Sequence, residues 1–338
     1  MDQKDDIISF VLKQRQIRSR DIVAKFKVTR QYATKLLRVL AQDGKIVKIG
    51  STRMASYVLP KYAKKEGEIG KNLMNTDLKE HEVLESLEEQ SSFLPSLKEN
   101  VRSIFTYAFC EMLNNAIEHS QSKNIRIEVM KNKNLRFVVN DVGIGVFRNI
   151  MRKRHLQSEL EAVQDLLKGK TTTEPQAHSG EGIFFTSKIA DVFSLESYNY
   201  KLTIDNRIND LFFEEMKPAK RGTKVTFELA ADSGKHLNDI FKKYQTDPKN
   251  FAFDKTEIQI KLYTMGTIHI SRSQARRVLT GLEKFKTIIL DFDQVPNIGQ
   301  AFADEIFRVF KNKHRDIAIQ PIYMNEAVRF MVERVSAV

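Results

Sequence analysis

Apolar residues at Ile7, Ile8, Val11 and Leu12 recur at helical spacing, so a helix is expected over residues 5–15. Ser19 is placed to cap a second helix, Arg20 to Phe26. Thr29 is placed to cap a third, Arg30 to Gln42, whose stripe is Ala33, Leu36, Leu37 and Leu40 and which stops at Asp43-Gly44. From Ile46 to Leu59 apolar and polar positions alternate loosely and turn at Gly50-Ser51, the pattern of a β-hairpin. Pro60 to Asp77 is polar and charged and reads as a linker. Leu78 to Gln90 forms an acidic amphipathic helix, and a long helix covers 97–119. Strands follow at 124–131 and 135–141. Residues 146–178 show no strand signal, and a helix opens within Gly180 to Ala190. Strands return at 192–199, 201–206, 210–216 and 223–229, and Ala230 to Asn250 reads as a second polar connection. Residues 256–338 then alternate strands (257–263, 287–291, 317–320) with helices (271–284, 299–311, 325–334).

Charge changes the picture at the front. The chain carries +12 over 338 residues, and residues 1–65 hold 16 Lys/Arg against 5 Asp/Glu. Nearly all the excess therefore sits in the first module, which points to a nucleic-acid contact there. Three short helices and a hairpin in residues 1–60 resemble winged helix-turn-helix DNA-binding domains, which implies that the third helix enters the major groove. Its polar residues Thr29, Arg30, Gln31, Lys35 and Arg38 face outward, with Arg30 and Gln31 near base edges. On the hairpin, Lys45, Lys48 and Arg53 are suited to phosphate. A solvated basic face is the plainer alternative.

The single cysteine, Cys110, excludes an internal disulfide and a multi-thiolate metal site. No apolar run reaches the roughly 18 residues of a membrane helix. The opening MDQKDDIISF is too acidic and polar for a secretory signal. A cytoplasmic protein without membrane attachment is expected.

Four elements carry candidate chemistry, in a set order. Glu111 and Asn115 lie four apart on one helix face. The amide oxygen can complete Mg²⁺ coordination, and the carboxylate can orient or deprotonate an attacking water or hydroxyl. Asp141 leaves a strand just before Gly143 and Gly145; a buried carboxylate there can accept from the exocyclic amine of adenine. A long polar segment follows, containing Lys170 and Thr171, which reads either as reaching a γ-phosphate or as a solvated loop. Gly180-Glu181-Gly182 then opens a helix, leaving backbone N–H groups free where phosphate is favoured. Taken singly, each pattern has a plain reading as a turn, a solvated face or a loop. Their order and spacing together are far more specific.

This constellation resembles the N, G1 and G2 boxes of the GHKL ATPases, the superfamily of gyrase, MutL, histidine kinases and anti-sigma-factor kinases. The resemblance covers residues 105–230. It implies an α/β sandwich, a mixed sheet with helices on one face, over residues 78–230 with a lid at 146–178. It also implies ATP and Mg²⁺ as cofactors. Asn115 would be the Mg²⁺ ligand, Glu111 the general base and Asp141 the adenine anchor, with the four glycines in the lid and phosphate loop. His119, one turn past Asn115, would touch a phosphate or hold a neighbour by a hydrogen bond. The run Glu-x-x-x-Asn-Ala-Ile-x-His is most similar to the anti-sigma serine kinases.

Residues 256–338, beyond a linker at 231–255, resemble STAS-like domains through the segment Thr287 to Phe307. In anti-anti-sigma relatives the turn carries a phosphorylated serine; here it reads Gly299-Gln300-Ala301. That favours docking a protein partner over a phospho-switch. The whole is a multidomain α/β chain, and three functions stay open. The first is an ATP-dependent DNA-binding regulator, acting singly or as a homodimer. The second is an anti-sigma-type serine/threonine kinase, and the third an ATP sensor within a defence assembly.

Overall fold

The computed structural model describes residues 3–49, 55–59, 68–170, 181–247, 252–264 and 271–336, which fall into two compact units, Met1–Ile69 and Gly70–Val338. The first unit runs α1 (Gln3–Gln14), β1 (Gln16–Arg18), α2 (Ser19–Phe26), α3 (Arg30–Gln42), β2 (Val47–Ile49) and β3 (Ser56–Val58). Its apolar stripes meet in one core of Ile7, Val11, Ile17, Ile22, Ala33, Leu37, Leu40, Ile46 and Tyr57. Thr29 caps α3 as expected, its Oγ1 accepting the Tyr32 N–H at 3.3 Å. Gly44, at φ +68°, takes the left-handed turn that ends it. The start of α2 differs. Ser19 is its first residue, not its cap, and the Asp21 carboxylate holds that end by accepting the Arg18 N–H at 2.7 Å. The strands form an antiparallel sheet in the order β1-β3-β2. At three residues, β1 is too short for its alternation to be read from sequence. The expected turn at Gly50-Ser51 lies outside the described residues.

The second unit takes in all but the first two residues of β4 (Glu68–Met74), then α4 (Glu80–Gln90), α5 (Glu99–His119), β5 (Asn124–Lys131) and β6 (Asn134–Asp141). It continues through α6 (Val146–Lys153), α7 (Glu159–Leu167), α8 (Gly182–Ile189), β7 (Val192–Asp205) and β8 (Asp210–Ala230). These strands make a five-stranded sheet in the order β4-β5-β6-β8-β7. The pairs β5/β6, β6/β8 and β7/β8 are antiparallel, so the mixed pairing expected is not seen among them. The apolar face of α5 packs on the sheet. Phe105 and Phe109 meet Phe137 of β6 at ring-centroid distances of 5.9 and 5.5 Å, and Phe137 stacks on Phe227 of β8 at 4.9 Å.

Three sequence readings differ from what forms. Part of the first expected linker is β4, a sheet-edge strand whose Lys71 reaches the Ser86 hydroxyl at 2.6 Å. Its glycine and charges disguise the alternation, as is common on strand edges. Four short strands prove to be the two long strands β7 and β8. The apparent breaks lie near the register shifts at Ser197 and Tyr198 and near Gly222, whose φ is +79°. Most of the expected lid is helical: α6 and α7 bury Phe147, Ile150, Ala162, Val163 and Leu166.

The unit closes with α9 (Leu237–Lys243), β9 (Lys255–Gln259), α10 (Lys261–Thr264), α11 (Arg272–Leu279) and β10 (Thr287–Asp291). Then come α12 (Gln300–Asp304), which runs through a π turn (Glu305–Phe310) into α13 (Lys311–Lys313), then β11 (Ala318–Ile322) and α14 (Glu326–Ser336). The sheet is parallel, order β11-β10-β9. The second expected linker is packed. Phe184 and Phe185 of α8 meet Phe253 at 4.8 Å each, and Phe253 meets Phe285 before β10 at 5.3 Å. An aromatic seam thus joins the two sheets into one unit. Replacing Phe137 with Ala is expected to destabilise this unit by roughly 3–5 kcal/mol, read as a lower urea midpoint. An unchanged midpoint would contradict the packing described.

Candidate functional site

Helix α5 sets the geometry. Its inner face is apolar, and Glu111, Asn115 and His119 follow at four-residue steps along one half-buried side. At one end, Glu111 lies against the first residue of α8. A Cβ added at Gly182 would fall 2.0 Å from Glu111 Oε2. The carboxylate therefore sits at a helix N-terminus, where negative charge is favoured. Burial, then Glu111 and Glu181, push the Tyr107 phenol far above its ordinary pKa. The same burial, with Glu80 and Glu111, raises the Cys110 thiol to about 11, so it is a poor nucleophile.

At the other end of α5, the chain leaving β6 closes over Ser120. The Ile144 N–H donates to the Ser120 carbonyl at 2.8 Å, and a Cβ on Gly143 would strike that carbonyl at 1.8 Å. Asp141 is buried here. Its Oδ1 accepts the N–H of Gly143 at 2.8 Å and of Thr223 at 3.1 Å. Burial raises its pKa; the two N–H bonds and Lys220 oppose that rise. Lys220 Nζ donates to the Asp141 carbonyl at 2.5 Å. From Glu111 to Ser120 the helix advances roughly 13 Å, with Asn115 midway.

Gly145, at φ +80°, precedes α6 and faces Ser197 and the Tyr198 ring. Glycine is needed at 143 and 145 for the protein's own close packing. His119 is half-buried with Nε2 4.0 Å from Glu118. Lys170 is not brought to this cluster: its ammonium lies 5.6 and 5.1 Å from the ring centroids of Phe253 and Phe285. Thr171, Gly180 and Arg53 lie outside the described residues. Thr29, Arg30, Gln31, Lys35, Arg38 and Lys48 are all exposed, the first five on or at the start of α3.

Three contributors went unread in the sequence: Lys220, Gly222 and Thr223. Gly222, at φ +79°, is so close that a Cβ would lie 2.4 Å from the Asp141 carbonyl and 2.6 Å from its Oδ1. The Thr223 hydroxyl accepts the Val146 N–H at 2.9 Å at the start of α6. The signal available was Arg221-Gly222-Thr223, a turn-forming glycine just ahead of an alternating strand.

The segment after α7 is held from the C-terminal sheet. The buried Lys168 ammonium donates to the carbonyls of Arg277 at 2.7 Å and Thr280 at 2.8 Å, at the C-terminal end of α11. Burial pulls its pKa down to about 8. The Thr256 hydroxyl donates to the Lys168 carbonyl at 2.7 Å, Tyr263 to that of Gln164 at 3.2 Å, and Lys284 to that of Lys170 at 2.7 Å.

Asp141 gives a signed pH test. A carboxyl whose folded pKa is raised binds its proton more tightly folded than unfolded. Its contribution favours folding at low pH and is lost as pH rises through the folded value. The variant Asp141→Asn keeps an acceptor for both N–H groups and cannot ionise. Its urea stability relative to the natural chain is expected to climb as pH rises above the ordinary carboxylate range. A flat difference would contradict the burial of this carboxylate.

Residues 274–329 match the family described as a STAS-like domain of unknown function (DUF4325). The match takes in most of α11, β10, the Gln300–Lys313 helix, β11 and the start of α14. No curated protein matches the chain. No helix among the described residues is long and apolar enough to cross a membrane. The chain is a multidomain α/β protein whose C-terminal part is a STAS-like domain, a module that suggests a regulatory role and is consistent with protein–protein interaction.

Proposed function

We propose that this protein is an ATP- and Mg²⁺-dependent DNA-binding regulator. A GHKL-type site between α5, Asp141 and α8 would be the switch, residues 1–60 the reader, and the STAS-like domain the brace and partner module. The observation that carries this reading is the arrangement along α5. One helix brings a carboxylate to the start of α8 and, about two and a half turns on, Ser120 to the loop of the buried Asp141.

The residues suit such a ligand. Asp141 uses Oδ1 for two backbone N–H groups, so Oδ2 is the atom to accept from an adenine amine. Gly182 presents no Cβ at the start of α8, and Asn115 offers a half-buried amide oxygen, the ligand type Mg²⁺ prefers. When bound, ATP with Mg²⁺ supplies a transferable phosphoryl group with part of its charge neutralised. Glu111, beside the helix N-terminus, orients and deprotonates the attacking water. The bonds from Thr256, Tyr263 and Lys284 hold the chain at Lys168, Gln164 and Lys170, so a change at the nucleotide site would be felt there by the C-terminal part.

The first unit supports a winged-helix reader by its element order, its antiparallel three-stranded sheet and the exposed polar row on α3. Arg30 and Gln31 would meet base edges, with Lys35, Arg38 and Lys48 on the backbone. A kinase acting on its own STAS-like turn finds no acceptor, since residues 292–303 contain no Ser or Thr.

Two measurements test the reading. Glu111→Ala is expected to cut ATP turnover at least about 100-fold with affinity for an ATP analogue little changed, whereas Asn115→Ala should lose the Mg²⁺-dependent part of that affinity. Equal loss of binding in both would remove Glu111 from its role. In gel shifts, DNA affinity is expected to fall at least about tenfold between about 50 and about 200 mM salt and to change on adding ATP. Negligible DNA binding at low salt would end the reader assignment.

A further inference from the structure

A pocket lies between the turn joining β7 to β8 and the edge of β9. Four aliphatic side chains line it, Leu167, Ile204, Leu211 and Ile258, together with three charged groups: Asp210, which is paired with Lys261, and the oppositely charged Lys188 and Glu257. It lies at the carboxyl end of β9, the end at which open parallel sheets receive ligands.

Lys188 and Glu257 are incompletely matched. Lys188 comes from the last turn of α8. Among the described residues its ammonium makes no hydrogen bond or ion pair, only ring-face contacts to Phe184 and Tyr244 at 5.6 and 5.8 Å. Glu257 takes Lys243 and the Tyr244 hydroxyl, each at 3.3 Å, both on Oε2. Among the described residues Oε1 has no partner. Lys188 and Glu257 are too far apart for an ion pair, yet each shifts the other's pKa.

A half-buried ammonium with no acceptor among the described residues suits an anionic group, and a carboxylate oxygen with no donor there suits a cationic one. A simple anion would satisfy the first and be repelled by the second; a simple amine would do the reverse. One small molecule carrying both charges answers both, and the aliphatic wall selects an apolar body. We propose that this pocket binds a small aliphatic α-amino acid, its carboxylate on Lys188 and its ammonium on Glu257 Oε1. The site stands without the nucleotide reading. An occupant touching α7, α8 and β9 would be an effector where the STAS-like domain braces the switch.

The test uses the full chain with no nucleotide present, by thermal shift and calorimetry with alanine, valine, leucine and isoleucine. Isobutyrate and isobutylamine serve as the single-charge counterparts of valine. At least one amino acid is expected to bind saturably and raise the melting temperature, with each single-charge counterpart at least about tenfold weaker. Lys188→Met removes a half-buried ammonium that makes no hydrogen bond among the described residues, so it should fold with an unreduced melting temperature and lose at least about tenfold in amino-acid affinity. No binding of any of the four at millimolar concentration would overturn the proposal. So would isobutyrate or isobutylamine binding as well as valine, or undiminished binding by the variant. If the variant does not fold, the comparison of valine with its counterparts on the natural chain decides.

Discussion

The buried Asp141 carboxylate is the constraint on which the rest of the site depends. Taking a carboxylate out of water is costly unless hydrogen bonds replace those lost, and here two backbone N–H groups on one oxygen supply them. Each donor dictates a piece of structure. The Gly143 bond turns the chain out of β6, and the turn is tight enough to exclude any Cβ beside Ser120. The Thr223 bond needs β8 to pass close to the end of β6, which Gly222 permits with φ +79° and no Cβ. The Thr223 hydroxyl then starts α6. A helix end, the end of one strand, the glycine of another and the next helix are thereby joined around one side chain.

Helix α5 carries that local order to a distance. Because its inner face is locked by Phe105 and Phe109 against Phe137, the spacing from Ser120 back to Glu111 is rigid. Helix α8 meets α5 at Gly182 and, six residues on, presents Lys188 to β9. The C-terminal sheet holds α7 and α8 from its own side through the Lys168 bonds and the Phe184, Phe253 and Phe285 rings. A displacement at the start of α8 therefore has a packed route into the STAS-like domain, by contact and not by a loose tether.

What was legible in the sequence followed periodicity and length. Helix α5 and strands β5 and β6 emerge nearly residue for residue, since each has a long uninterrupted pattern. The Glu111–Asn115 spacing and the Asp141 turn were readable because helix geometry fixes which residues share a face. Hidden features are those created by tertiary partners. Nothing local says that Gly222 and Thr223 serve Asp141, some eighty positions away. Nor does the sequence say that Lys170 lies against Phe253 and Phe285, or that the polar stretch after β8 conceals Tyr244 and Phe253 under α8. The short strand β1 and the edge strand β4 escaped for the opposite reason, because too few residues face the core to leave a pattern.

The most direct test of the central claim asks whether Asp141 reads an exocyclic amine. Calorimetry would compare ATP with inosine triphosphate, which carries a carbonyl in place of that amine, both with Mg²⁺ and with the natural chain. A site built to accept a hydrogen bond rejects a ligand that cannot donate it, so ATP is expected to bind at least about tenfold more tightly. Equal affinity for the two nucleotides, or no binding of either, would contradict the assignment.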